Sequence, residues 1–244
     1  MPRTWIITGA SRGIGAAIAD EAADGGHAVA LVARSDAVEE HAAAIRARGG
    51  RAIAVREDVT APGAGERITE AARAAFGAVD VLVNNAGMHR GGRIEGLSDD
   101  DFEAVLTANL IAPFRLSRAV VGAMTRGGAI VNIGAVVGLR GFPGDSPYGS
   151  AKAGLAGLTQ VLAIELARRG ITVNCVVPGF TETEMTAGVD EGARQRLLDR
   201  IPIGRPCTAR EIAAVVRCVV DSPSMTGALI PVDGGLMAAL GSAR

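Results

Sequence analysis

Aromatic residues, cysteine and histidine are scarce in this sequence. Its 244 residues include one tryptophan, one tyrosine, five phenylalanines, three histidines and three cysteines. Cys175, Cys207 and Cys218 are too few and too scattered for a disulfide framework, and they lack the paired spacing of a metal site. A reducing, cytoplasmic setting is expected, with Cys175 and Cys218 buried in apolar segments. An excess of either charge is also missing. A net charge of −1 leaves no electrostatic footprint for nucleic acid or an anionic membrane. No uninterrupted apolar run approaches the roughly 20 residues of a membrane span. The opening "MPRTWIITGA" enters a strand directly, which argues against a secretion signal.

Small residues are abundant instead. Hydrophobic content is 48%, much of it alanine, and 33 glycines allow helices to pack closely on a sheet. Short apolar runs alternate with helix-length segments: residues 5–8, 28–33, 52–55, 79–84, 129–133, 171–177 and 228–232. The rhythm predicts an α/β fold, a Rossmann-like doubly wound parallel sheet of about seven strands with helices on both faces. Near-continuous apolar strands fit a sheet covered on both sides. No linker or repeat interrupts residues 1–244, so a single domain is expected. "SDDD" (98–101) and "TARE" (208–211) read as capping boxes. Pro113 interrupts a helix expected over about 99–124 and should kink it. The polar segment 181–205 follows the sixth strand and is a candidate lid, since ligands of open α/β sheets sit beyond the carboxyl ends of strands.

"TGASRGIG" (8–15) lies between the first strand and the first helix. Its glycines allow a tight turn and close approach of backbone to a pyrophosphate at the helix N-terminus. An acid about 20 residues further on would hold a ribose 2′-hydroxyl. Arg34 stands there instead, and Arg12 lies in the loop itself. Guanidinium forks bind phosphate well, so a 2′-phosphate, and hence NADP(H), is expected. Asp36 would reach a ribose only from a longer turn.

"NNAG" (84–87), "TANL" (107–110), "YGSAK" (148–152), "VVPGF" (176–180) and "PVDGG" (231–235) follow in order. Tyr148 and Lys152 are four apart, on one helix face. With these motifs the sequence resembles the short-chain dehydrogenase/reductase family over essentially its whole length. It is most similar there to β-ketoacyl-carrier-protein reductases and polyketide ketoreductases. The resemblance implies reduction of a ketone, with Tyr148 as proton donor. Lys152 would favour the phenolate and hold the nicotinamide ribose, and Asn109 would link Lys152 to solvent through water. Cofactor contacts would come from Gly9, Ser11, Arg12, Gly13, Ile14, Gly15 and Arg34 at the phosphates. Asp58 and Val59 would meet the adenine, Asn85, Ala86 and Gly87 would line the cofactor, and Pro178, Gly179, Thr181 and Thr183 would fix the nicotinamide end. The family usually forms tetramers through the helices that carry Asn109 and Tyr148. A carrier-protein-bound acyl substrate would dock an acidic partner on Arg126, Arg168 and Arg169. No metal is implied.

One position departs from the pattern. The family carries a catalytic serine thirteen residues before the tyrosine, where this chain has Ala135 in "IGAVVG". That serine donates a hydrogen bond to the reacting carbonyl. Losing one such donor typically costs about 10²–10³ in turnover. An impaired reductase, a catalytically weak NADP-binding partner protein and a reductase of another small ketone all fit. Four nearby side chains come into question as substitutes, and none is a convincing replacement. Ser146, before Pro147, should be extended and point elsewhere. Ser150 is rotated away on the helix. Asn132 suits a structural role. His89, just past "NNAG", could approach the pocket, though a lone histidine more often serves structure. The glycines 134, 138, 141 and 144 suggest an open pocket, with Arg140, Phe142 and Met185 as walls.

Overall fold

The computed structural model describes residues 1–124, 127–184, 186–188 and 190–239. Seven strands form one parallel sheet: β1 (Thr4–Thr8), β2 (Ala28–Ala33), β3 (Arg51–Arg56), β4 (Val81–Asn84), β5 (Gly128–Ile133), β6 (Ile171–Pro178) and β7 (Leu229–Val232). Their order across the sheet is β3-β2-β1-β4-β5-β6-β7. Every pairing is parallel, so each connection crosses over through a helical segment.

The strands read as continuous apolar runs because both faces are buried. Along β1, Trp5 and Ile7 pack on one side with α1 (Gly13–Asp24), α2 (Ala37–Ala47) and α8 (Ala209–Val220). Ile6 packs on the other with α3 (Ala64–Phe76), α5 (Ala112–Val121) and α6 (Ser146–Leu166). The period-2 alternation of strand side chains divides the core in two. Helices α4 (Asp99–Leu106) and α7 (Glu191–Leu198) complete the set.

The helix expected over 99–124 is three pieces. Between α4 and α5 lies a π turn, Thr107–Ile111, and Pro113 sits in the first turn of α5. Pro113 has no N–H for the Asn109 carbonyl four residues earlier, so the wider turn absorbs the mismatch. By length and composition the run Asp99–Val121 could cross a membrane; here Leu116 and Val120 pack on the sheet. Ser98 caps α4 by accepting from Asp101 N–H at 3.1 Å. The reciprocal arm of the expected box is absent among the described residues, because the short Asp101 carboxylate meets the Ser98 hydroxyl instead. Thr208 and Glu211 form the full box on α8.

Two further expectations are corrected. Cys218 is exposed, since the buried stripe of α8 runs through Ile212, Ala213, Val216, Val219 and Val220; Cys175 and Cys207 are the buried thiols. Ser146 is not extended: it opens α6, with Asp145 as N-cap and Pro147 tolerated in the first turn.

Candidate active site

The carboxyl ends of β1, β4, β5 and β6 open on one cleft of about 2740 Å³. It lies where strand order reverses between β1 and β4, the switch point at which crossovers leave opposite faces of the sheet. Of the expected site residues, all but Gly15 line it.

Gly15 sits beneath the loop. A Cβ there would overlap the Gly9 carbonyl and the Asn85 amide, so only glycine lets α1 pack this closely. Gly9 and Gly13 have φ of 65° and 58°, the left-handed region that glycine enters without strain. Helix α1 has no side-chain cap among the described residues and no acid in its first turn. Its N–H groups therefore face the cleft, where a phosphate would satisfy them. Thr8 was not singled out from sequence, yet it braces this loop. Its hydroxyl donates to Val83 C=O and accepts from the N–H groups of Asn85 and Ala86. The Asn85 side chain donates to the Thr8 and Gly9 carbonyls.

Arg34 is 78% exposed at the end of β2, its guanidinium 3.7 Å from Asp58. Burial pushes the Asp58 carboxyl up, but two hydrogen bonds from Thr60 and the Arg34 charge outweigh it and leave it below the usual range. Asp36 pairs with Arg56 at 2.7 Å. The rim at the ends of β2 and β3 thus carries an exposed guanidinium paired with a charged carboxylate.

Tyr148 and Lys152 project from successive turns of α6, the ammonium 5.4 Å from the phenol ring centre. Lys152 is only 5% exposed and donates to Ile133 C=O at 2.7 Å. Burial lowers its pKa to about 8. Burial, and then the Asp145 carboxylate, push Tyr148 up to about 12. This differs from the expected lowering by Lys152: in the chain alone, desolvation and a neighbouring negative charge decide.

Asn109 sits in the π turn, 1% exposed. Its amide donates to Met88 C=O at 2.8 Å and Val105 C=O at 2.9 Å. Its Oδ1 is buried without a partner among the described residues, against Gly87, where a Cβ would overlap it. Asn132 is structural, as expected: it accepts from Asn84 and donates to Thr159 inside the sheet–α6 interface.

Ala135 lines the cleft at the end of β5. Ser146 and Ser150 are exposed and outside the cleft wall, so neither replaces a serine at 135. Gly134 and Gly138 do not create open space. A Cβ on Gly134 would press on Cys175 Sγ at 2.7 Å, and one on Gly138 on the Lys152 backbone at the same distance. They let the turn pack tightly on β6 and α6. Arg140 and Phe142 do line the cleft, while Met185 lies outside the described residues. In segment 181–205, Thr181, Thr183, Thr186 and Arg196 border the cleft, and α7 supplies the expected helix. Arg126 also lies outside the described residues. Arg168 and Arg169 are exposed beyond the C-terminus of α6, at the edge of the sheet opposite this chain's cleft. Arg169 donates to Val121 C=O at the end of α5.

His89 was only weakly indicated by sequence. Its Nε2 contacts Asp145 Oδ1 at 2.7 Å, and its ring stands edge-on to Tyr148 at 5.3 Å between centres. Asp145 was not anticipated at all.

Residues 9–237 match a family described as "Enoyl-(Acyl carrier protein) reductase". The chain is 41% identical over 235 residues to the 3-oxoacyl-[acyl-carrier-protein] reductases FabG of Salmonella typhimurium and Escherichia coli, spanning 95% of this chain and 96% of each relative. Among solved structures it resembles a blue fluorescent protein from a metagenomic library in complex with NADPH, at 35% identity and a TM-score of 0.91, covering 96% and 97% of the two chains. A dehydrogenase/reductase from Sinorhizobium meliloti is 38% identical with a TM-score of 0.92, covering 96% and 94%.

Proposed function

Since the chain belongs to the short-chain dehydrogenase/reductase family, we propose that it reduces the ketone of a β-ketoacyl thioester to an alcohol, using NADPH. The observation that carries this is convergence: Tyr148 and Lys152 face the same cleft as the glycine loop of β1. When bound, NADPH supplies the hydride. The chain's residues do the rest. Tyr148 gives its phenolic proton to the carbonyl oxygen, so hydride and proton together make the alcohol. The Lys152 charge stabilises the phenolate that remains, and the unpartnered Asn109 Oδ1 supports a water link from Lys152 to solvent.

The uncapped start of α1 and the loop Gly9, Ser11, Arg12, Gly13 and Ile14 would hold the pyrophosphate, with Arg12 and Arg34 on the 2′-phosphate. Asp58 and Val59 would border the adenine. Asn85, Ala86 and Gly87, then Pro178, Gly179, Thr181 and Thr183, would line the route to the nicotinamide, under a lid formed by residues 181–205. Ala135 leaves the carbonyl one donor short.

The substrate class follows the FabG relatives, whose names specify an acyl carrier protein. Arg168 and Arg169 have no carboxylate partner among the described residues, but they lie at the edge of the sheet opposite this chain's cleft, so a carrier docked on them would not reach Tyr148 of the same chain. We place the enzyme in the cytoplasm as a homotetramer built on the helices that carry Asn109 and Tyr148.

The test is NADPH oxidation with a β-ketoacyl thioester and with the matching enoyl thioester. The ketone should turn over and the enoyl compound should not. Tyr148→Phe should abolish turnover while NADPH still binds. Arg34→Ala should weaken NADPH binding much more than NADH binding. A chain that binds NADPH and reduces neither thioester is a cofactor-binding partner protein instead.

A further inference from the structure

The turn from Gly134 to Gly138 offers no side-chain donor, and the nearby serines face away from the cleft. The polar side chain beside Tyr148 comes from another direction. After β4 the chain passes Asn85, Ala86 and Gly87 and reaches His89, which lines the cleft with 41% of its side chain exposed. Asp145, the N-cap of α6, holds it through Nε2 at 2.7 Å and is itself 18% exposed. Gly92 N–H donates to Gly144 C=O at 2.8 Å, tying the same two loops together through backbone. Gly91 lies so close over the pair that a Cβ there would come within 3.2 Å of both His89 Cε1 and Asp145 Oδ1. The histidine is therefore seated rather than free to swing. Its ring stands at 75° to the Tyr148 ring, 5.3 Å away, and its Nδ1 has no partner among the described residues.

We propose that His89, oriented by Asp145, supplies the second hydrogen bond to the substrate carbonyl that Ala135 cannot give. The proposal rests on the ketoreductase reading above. Nε2 faces the Asp145 carboxylate, so donation from Nδ1 requires a proton on each ring nitrogen, with the carboxylate balancing the charge. The carbonyl oxygen then accepts from Tyr148 O–H and from His89 Nδ1–H as negative charge builds on it. Only the tyrosine proton is transferred. The other charges bordering this part of the cleft are Lys152 across the phenol ring, Arg140, Asp100 and Glu103; Arg90 is engaged with Asp101 at 2.7 Å.

A double-mutant cycle between positions 89 and 135 decides the matter. His89→Ala should lower kcat by about 10²-fold, with melting temperature and NADPH affinity unchanged. Ala135→Ser should raise the His89→Ala protein far more than it raises the wild type, because it returns the donor that is missing. His89→Gln, which keeps an N–H, should fall between wild type and alanine. Wild-type turnover in His89→Ala would overturn the proposal. So would a defect that Ala135→Ser leaves unrepaired, which would mark His89 as a packing residue only. Silence of both wild type and Ala135→Ser on the β-ketoacyl thioester, with NADPH bound, would instead bring down the reductase reading and this proposal with it.

Discussion

Tyr148 is the only tyrosine in the chain and Lys152 the only lysine, and the fold puts both in one cleft. Desolvation disfavours the charged form of each, so their pKa values move apart, the phenol up to about 12 and the ammonium down to about 8. The phenol is therefore fully protonated at neutral pH in the chain alone. With one tyrosine present, tyrosinate absorbance in a rapid pH jump reports Tyr148 by itself. Its midpoint should lie near 12. Asp145→Asn removes a negative charge that opposes the phenolate, so the midpoint should move down; an unchanged or higher midpoint would mean that Asp145 does not act on the phenol. The Tyr148–Lys152 pair was legible in the sequence because its geometry is one helical turn. The His89–Asp145 pair was not, because 56 residues separate its members and only the packing of two loops brings them together.

At the scale of single elements, local signals were read well where they are local. Thr208 and Glu211 form the expected box: Thr208 N–H donates to Glu211 at 2.8 Å, and Glu211 N–H donates to the Thr208 hydroxyl at 3.2 Å. Arg205 pairs with the same carboxylate at 2.7 Å. The Arg205 hydrogen bond first, and then the Thr208 backbone bond, lower the Glu211 pKa to about 2 from an ordinary 4.5. In acid the unfolded chain therefore takes up this proton first. The stabilisation is complete above about pH 4.5 and is lost as pH falls toward 2. Glu211→Gln should melt below the wild type at pH 7, and the gap should close between pH 4.5 and 2; a constant gap would show that the charge contributes nothing. The π turn at Asn109 was not legible. Pro113 announced a break, but not that it takes the form of a π turn from which Asn109 donates to Met88, in a loop 21 residues away. Cys218 was misplaced because an apolar run does not say which of its residues face the sheet.

Over the whole molecule, the alternation of apolar runs and helix-length segments was enough to predict the sheet and its two covered faces. Each strand boundary fell within two residues of the observed one. What periodicity does not assign is the outer surface. Ile164 is 80% exposed and Val161 53%, both on α6, and Phe114 on α5 is 43% exposed. Scattered exposed apolar residues are ordinary, but these lie on the two helices proposed for assembly. Ile164→Glu should shift the mass measured by light scattering below that of a tetramer while leaving the circular dichroism spectrum unchanged. An unchanged mass would move the interface elsewhere.

The central position of β1 also bears on how the chain acquires its structure. β1 pairs with β2 through Thr4↔Ala28 and with β4 through Trp5↔Val81. During synthesis its second flank stays open until some seventy further residues have been made. The remaining pairings each wait for a crossover to close. Such distant closures make for slow folding, with transiently unpaired apolar strands that invite aggregation. Trp5, the only tryptophan, lies in this strand and is 1% exposed once folded. Its fluorescence is thus a natural clock for the step at which the two halves of the sheet join.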